Sequence, residues 1–217
     1  MSVLWQARFF TTVNRLGDLP KYNVPEIAFA GRSNAGKSTA INLLCNQKKL
    51  AFASKTPGRT QHINFFSLGG AHVGQHHKDE TRVEEINAFL VDLPGYGYAA
   101  VGKEKVASWS KLMRDYLRGR AQLARVFVLV DARRGIKPVD GEMFDLLDQA
   151  AVSYQVILTK RDCVKVADQA ARVRATEEGL AKRAAAYPEV LFTSSESGEG
   201  IEDLRAAIVR LMAERGQ

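Results

Sequence analysis

Short, almost wholly apolar runs recur along the chain and set its framework: Ile27-Ala-Phe-Ala30, Val126-Phe-Val-Leu-Val130, Val156-Ile-Leu158 and Val190-Leu-Phe192. Runs apolar on both faces belong to buried parallel strands, covered by helices above and below. Two more, Ile63-Asn-Phe-Phe66 and Ile86-Asn-Ala-Phe-Leu-Val91, read as a hairpin across an unusually polar connection, which brings the strands to six. Between the runs lie stripes at three-or-four spacing. Val106, Trp109, Met113, Tyr116 and Leu117 form one, and Ile201, Leu204, Ile208, Leu211 and Met212 another; each is the buried face of an amphipathic helix. Alternating strands and helices need crossover connections, so the expected fold class is α/β: three layers, a six-stranded mostly parallel sheet with helices on both faces. Ligands of such sheets sit at the carboxyl ends of the strands.

Composition narrows this picture. A chain of 217 residues that is 46% hydrophobic supports one substantial core, so a single domain over 1–217 is expected, with 1–24 as an N-terminal extension. No apolar run approaches the roughly 20 residues of a membrane helix, and the start MSVLWQARFFTTVNR lacks a leader pattern. The reading is therefore cytoplasmic, without a membrane partner, and monomeric. Cys45 and Cys163 lack metal-ligand spacing and read as two reduced, mostly buried thiols. The 31 Lys and Arg against 24 Asp and Glu, a formal charge of +7, suit a partner carrying phosphates, though basic balance alone does not single out nucleic acid.

The first apolar run leads directly into Gly31-Arg-Ser-Asn-Ala-Gly-Lys37-Ser38, a complete G-x-x-x-x-G-K-[ST] phosphate loop with a strand before it and a helix after. The glycines permit a tight turn of inward-facing N–H groups, and the helix adds the positive end of its dipole. Lys37 reaches toward β- and γ-phosphates; the Ser38 hydroxyl is a hard oxygen ligand for Mg²⁺. The strand and helix flanks weigh against a chance Gly-rich turn.

Asp92-Leu-Pro-Gly95 closes a strand further on. Alone it is a common turn. Downstream of a phosphate loop it supplies an acid to hold magnesium through water and a Gly95 N–H for a γ-phosphate. Thr159-Lys160-Arg-Asp162 follows the strand at 156–158, where a base would lie. A carboxylate at Asp162 accepts from both guanine N1–H and N2–H₂, which adenine cannot offer, so guanine is selected. Lys160 would lay its stem along the base, and Thr159 would tether the segment where many GTPases carry Asn. After the last strand, Thr193-Ser194-Ser195 offers small residues whose backbone can approach guanine O6; for Ser197, just beyond, a helix N-cap is an equal reading. Between loop and acid lies Thr56-Pro-Gly-Arg-Thr60-Gln61, with Thr60 the chosen second magnesium ligand, closing on the metal only when γ-phosphate is present.

These marks together, with Asn64-Phe-Phe66 and Asp92-Leu-Pro-Gly-Tyr-Gly-Tyr98, resemble the EngB family of bacterial ribosome-assembly GTPases over nearly the whole chain. Thr159 itself is similar to that family's pattern. The resemblance implies a P-loop NTPase (G domain) fold and a GTPase that hydrolyses GTP to GDP and phosphate. It implies a role in maturing the large ribosomal subunit, through its precursor and ribosomal RNA, and a need for the protein in normal division and septation. The nucleotide-contacting set is then Gly31, Arg32, Ser33, Asn34, Ala35, Gly36, Lys37, Ser38 and Thr39, with Gly58, Arg59, Thr60, Gln61 and His62. Asp92, Leu93, Pro94 and Gly95 join it, as do Thr159, Lys160, Arg161, Asp162, Thr193, Ser194 and Ser195. Lys37, Thr60 and Asn34 carry the chemistry.

One stretch departs from the family pattern: 69–82 is longer than a hairpin needs. His72, His76, His77, Asp79 and Glu80 there carry metal-binding groups, although a solvated loop is the simpler reading. Where other GTPases have a water-orienting Gln, this chain has Tyr96, so slow intrinsic turnover is expected, with K⁺ held near Asn34 or a partner's residue supplying the missing charge. Tyr96 and Tyr98, among glycines, are expected to face outward once GTP orders their segment. Lys103, Lys105, Lys111, Arg114, Arg118, Arg120 and Arg125 form a candidate set for RNA phosphates, set against a plain solvated helix face. Two other classes stay open: a GTP-dependent division scaffold acting off the ribosome, and a P-loop ATPase or kinase, which has no use for the segment 159–162.

Overall fold

The computed structural model describes residues 3–51, 62–69, 86–97 and 103–215. A short 3-10 turn, Val3–Gln6, leads into strand β1, Arg8–Val13, and a second such turn, Leu16–Asp18, into β2, Glu26–Gly31. Then come α1 (Lys37–Leu44), β3 (Ile63–Leu68), β4 (Ala88–Asp92), α2 (Lys103–Gly119) and β5 (Leu123–Asp131). The chain continues through α3 (Pro138–Gln149), β6 (Tyr154–Thr159), α4 (Val166–Leu180), β7 (Leu191–Phe192) and α5 (Ile201–Arg215).

The strands form one sheet in the order β1-β3-β4-β2-β5-β6-β7. From β4 to β7 neighbours are parallel, and β3 is antiparallel to both β4 and β1. The α/β class and the 63–91 hairpin are as the apolar runs indicate. The count is corrected: seven strands among the described residues, not six. The extra strand, β1, lies inside the stretch read as an extension. Arg-Phe-Phe-Thr-Thr-Val sits at the edge of the sheet and is only partly buried, so it carries β-branched and aromatic propensity without a core strand's continuous apolar run.

Two apolar layers sandwich the sheet. One packs Met113, Tyr116 and Leu117 of α2 and Met143, Phe144 and Leu147 of α3 on alternate side chains of β2, β4 and β5. The other packs Ile41 and Leu44 of α1 with Leu204, Ile208 and Leu211 of α5 on the opposite set. Each such fully buried side chain contributes about 1.5–3 kcal/mol. The stripes read from 106–117 and 201–212 thus face the sheet wherever their side chains are described.

A polar anchor crosses the first layer. Glu26, at the start of β2, is fully buried and accepts from the Tyr116 hydroxyl at 2.8 Å and from Arg120 Nε at 2.8 Å. Arg120 also donates to Pro20 O at 2.7 Å. Two members of the candidate RNA-binding set are therefore structural. Arg120 closes this buried ion pair, and Arg125 lies 3.9 Å from the Tyr187 ring centroid while donating to Gln155 and Ser153. Lys111 is exposed and paired with Asp115 at 2.5 Å; the side chains of Lys103 and Lys105 fall outside the described ones. Among the described residues, no helix is long and apolar enough to cross a membrane.

Candidate nucleotide site

Every described segment of the expected site meets at the carboxyl ends of β2, β4, β6 and β7. The phosphate loop turns from β2 into α1 through two left-handed residues, Asn34 (φ 67°) and Gly36 (φ 91°). Gly36 is the residue before the first turn of α1 and has no side chain to cap that turn, and such a helix N-terminus favours an anion. Lys37 opens the helix and forms an ion pair with Asp92, at the end of β4, both side chains largely shielded from solvent. Ser38 follows in the same turn. A serine hydroxyl and a carboxylate are oxygen donors suited to magnesium, which keeps waters and phosphate oxygens for its other positions. Among the described residues no group of three or more His, Cys, Asp or Glu gathers into an all-protein cage.

Beyond Asp92, Leu93 and Pro94 are buried, and Leu93 N–H donates to Phe29 O at 3.0 Å, which ties the turn to β2. Gly95 sits so close to the phosphate loop that a Cβ would lie 3.2 Å from Ser33 Oγ and 3.4 Å from Ser33 N. Tyr96 clasps the loop through its backbone: its N–H donates to Gly31 O and its carbonyl accepts from Ser33 N–H, each at 3.2 Å. The ring, expected to face outward once GTP orders its segment, is turned inward here. Tyr96 is 4% exposed, and its hydroxyl donates to Asp140 Oδ1 at 2.9 Å. Burial, then the Asp140 carboxylate, push that phenol well above its usual range. Asp140 in turn accepts from Lys137 N–H at 2.8 Å and so caps α3. Arg32 packs beside Gly97, where an added Cβ would lie 3.6 Å from its Nε, and that Nε is buried without a hydrogen-bond partner among the described residues.

The base end interlocks with the phosphate end. Thr159, the last residue of β6, donates from Oγ1 to Ala35 O at 2.8 Å, the expected tether. Lys160, left-handed at φ 61°, donates to Asn34 O at 3.1 Å and pairs with Asp131 Oδ2 at 2.9 Å. Arg161 N–H donates to Thr193 O at 3.0 Å, joining this segment to the one after β7. Asp162 is open to solvent; Ser194 Oγ donates to its Oδ1 at 2.5 Å and Cys163 Sγ to its Oδ2 at 3.0 Å. The bonds from Ser194 and Cys163 hold the Asp162 carboxyl below the usual carboxylate range, charged and oriented to accept. Ser194 Oγ also accepts from Glu196 and Ser197 N–H, each at 3.1 Å, so the turn is organised by Ser194, and Ser195 follows within it. His62 is exposed just ahead of β3. Gly58, Arg59, Thr60 and Gln61, like Tyr98 and the residues His72, His76, His77, Asp79 and Glu80, lie outside the described residues.

Three functional features escaped the sequence reading. Asp131 closes a chain Arg133–Asp131–Lys160, with Arg133 donating to it at 2.7 and 3.0 Å. Asp140 receives Tyr96. Cys163 is exposed, not buried as expected, and donates to the Asp162 carboxylate. The first was signalled only by an acid ending an apolar run, and the others by nothing local.

Comparison with known proteins agrees with this geometry. The family described as 50S ribosome-binding GTPase matches residues 26–160. A probable GTP-binding protein EngB of Janthinobacterium sp. (strain Marseille) is 62% identical over 174 residues, 80% of this chain and 74% of that one. One of Mesorhizobium japonicum is 53% identical over 201 residues, 93% of this chain and 92% of the relative. Among solved structures, a probable GTP-binding protein engB superposes with TM-score 0.61 at 24% identity, covering 87% of this chain and 99% of the other. Era in complex with MgGDPNP and a 16S ribosomal RNA fragment superposes with TM-score 0.62 at 20% identity, covering 87% and 56%; these two likenesses speak to the fold. With more than half of the residues identical across nine-tenths of both chains, this chain belongs to the EngB family of P-loop GTPases.

Proposed function

We propose that the chain is one GTP-binding unit that takes up GTP with magnesium, hydrolyses it slowly, and switches a contact with the precursor of the large ribosomal subunit in the cytoplasm. Normal division and septation then depend on that assembly role. The observation that carries this is the interlock of Thr159 and Lys160 with Ala35 and Asn34, at 2.8 and 3.1 Å. It fixes the distance between base reader and phosphate cradle, so one ligand must satisfy both ends, and the carboxylate at Asp162 fits guanine.

Lys37 exchanges its Asp92 partner for β- and γ-phosphate oxygens when the nucleotide enters. Ser38 and Thr60 would hold magnesium, with Asp92, once freed, placed to accept from water bound to it, and the metal would supply charge neutralisation at the phosphates. Gly95 N–H meets the γ-phosphate, and its loss on hydrolysis releases Thr60 and the segment around it. The Tyr96 hydroxyl is committed to Asp140 and orients no water, which supports a slow intrinsic rate. K⁺ beside Asn34, or a group from the particle, supplies the charge that is missing. Equal turnover in KCl and NaCl, or a K⁺ effect that survives Asn34→Ala, removes the K⁺ part.

Calorimetry with GTP and ATP tests the base assignment. Asp162→Asn should weaken GTP by at least about 10²-fold and gain xanthosine triphosphate, whose C2 carbonyl accepts from the new amide. Sedimentation with large-subunit precursors, in a non-hydrolysable GTP analogue against GDP, tests the switch; equal co-sedimentation in both sinks it.

A further inference from the structure

On the α1 and α5 side of the sheet, two aromatic rings stand in solvent: Trp5 at 40% and Phe9 at 58% exposure. Trp5 lies by Gln47, just past the carboxyl end of α1, a helix of eight residues or roughly 12 Å that begins at the phosphate loop. Phe9 leans edge-on against Phe66, centroids 6.1 Å apart, on β1, the outermost strand of the sheet. Trp5 is held in place from behind. Gln47 Nε2 donates to Trp5 O at 3.5 Å and Ala7 O at 2.6 Å, and the Arg205 guanidinium lies 5.7 Å from the Trp5 ring centroid. Next in the chain after Gln47 come Lys48 and Lys49, both exposed.

Cations stand beside the rings: Arg8, Lys48 and Lys49 are exposed, and Arg205, paired with Glu202, faces Trp5. Flat rings fixed in place beside paired lysines suit a polyanion that carries its own flat faces. Stacking on aromatic rings is open to unpaired bases and closed to a duplex, whose base faces are already stacked. An apolar protein surface would fit the rings but not the lysines, which are depleted in the centres of protein interfaces.

We propose that the face carrying Trp5, Phe9, Lys48 and Lys49 docks single-stranded RNA, with unpaired bases on the two rings and backbone phosphates on the lysines. It rests on the reading that the partner particle presents RNA. The chain's two tryptophans are Trp5 and Trp109, so Trp109→Phe leaves Trp5 as the only tryptophan reporter. Titrating an oligoadenylate of about ten nucleotides into that variant, loaded with GDP, should quench the Trp5 emission saturably and more weakly as KCl rises. By anisotropy of a labelled oligoadenylate, Trp5→Ala and Phe9→Ala should each weaken binding about tenfold. Lys48→Ala and Lys49→Ala should each lower the log–log salt slope by about 0.7. GDP affinity serves as the folding control and stays at the wild-type value in all four.

Absence of quenching, or full oligoadenylate affinity in the Trp5→Ala/Phe9→Ala double variant, overturns the proposal. So does loss of precursor-particle binding in that double variant without quenching in the reporter, which assigns the face to a protein component. If quenching is intact but wild-type protein never co-sediments with large-subunit precursors, the RNA face stands and the assembly role fails.

Discussion

Asp131 holds one side of Lys160 while the Asn34 carbonyl holds the other, so the lysine proposed to lie along the base is fixed against the phosphate loop by the fold itself. Asp131→Asn should weaken GTP and GDP alike by about 1–2 kcal/mol, and calorimetric double-mutant cycles with Lys160→Ala should give a non-zero coupling. Burial by itself would raise the Asp131 carboxyl, but bonds from Arg133 and Lys160 carry it far below the usual range. With the native value depressed, its contribution to stability is complete above the ordinary carboxylate value of about 3.9 and drains away as pH falls toward the native one. Urea unfolding of wild type and Asp131→Asn should therefore differ near neutrality and converge below about pH 4. The two thiols make a separate prediction. Burial pushes Cys45 up to about 12; the bond to Asp162 raises Cys163 as well, but that thiol is exposed and open to reagent. Iodoacetamide should label Cys163 alone in the folded protein, GDP should slow the labelling, and labelled protein should bind GDP more weakly, all readable by mass spectrometry and calorimetry. At this scale the sequence was informative where the chemistry is contiguous, as in 31–38 and 159–162. It was silent on Asp131, Asp140 and Cys163 because their roles come from partners brought close only by folding, such as Tyr96 and Asp140, 44 positions apart.

Elements are fastened to one another by polar bolts through an apolar core. Glu26 binds β2 to the end of α2 through Tyr116 and Arg120, and Tyr96 binds the turn after β4 to the start of α3 through Asp140. Arg120→Met should strand the Glu26 charge in the core and cost about 3–5 kcal/mol, read as a lowered urea midpoint with unchanged slope. A companion Glu26→Gln/Arg120→Met change should recover a large part of that loss, because no unpaired charge remains. Continuous apolar runs reveal the buried strands, since both faces must be apolar, and helical stripes reveal α2 and α5. An edge strand needs only one side covered, which is why β1 left no comparable signature. Nor could an arginine's place in an ion pair be read from its position after a helix, so Arg120 and Arg125 passed for surface cations.

Across the whole molecule, β3 is gripped on both sides, by β1 in the register Val13 to Ile63 and by β4 in the register Asn64 to Asp92. A hairpin strand with one neighbour takes its alignment from its turn. Here alignment is set twice over, by β1 and by β4, whatever the length of the connection that 69–82 makes longer than a hairpin needs. Replacing 71–84 by a two-residue Asn-Gly turn should leave the thermal midpoint within a few degrees and GDP affinity unchanged; calorimetry checks both. A domain whose frame indifferently tolerates what is spliced between those two strands offers evolution a free port. Lineages can lengthen, shorten or recompose that insert while the nucleotide machinery on the far ends of the strands keeps its alignment.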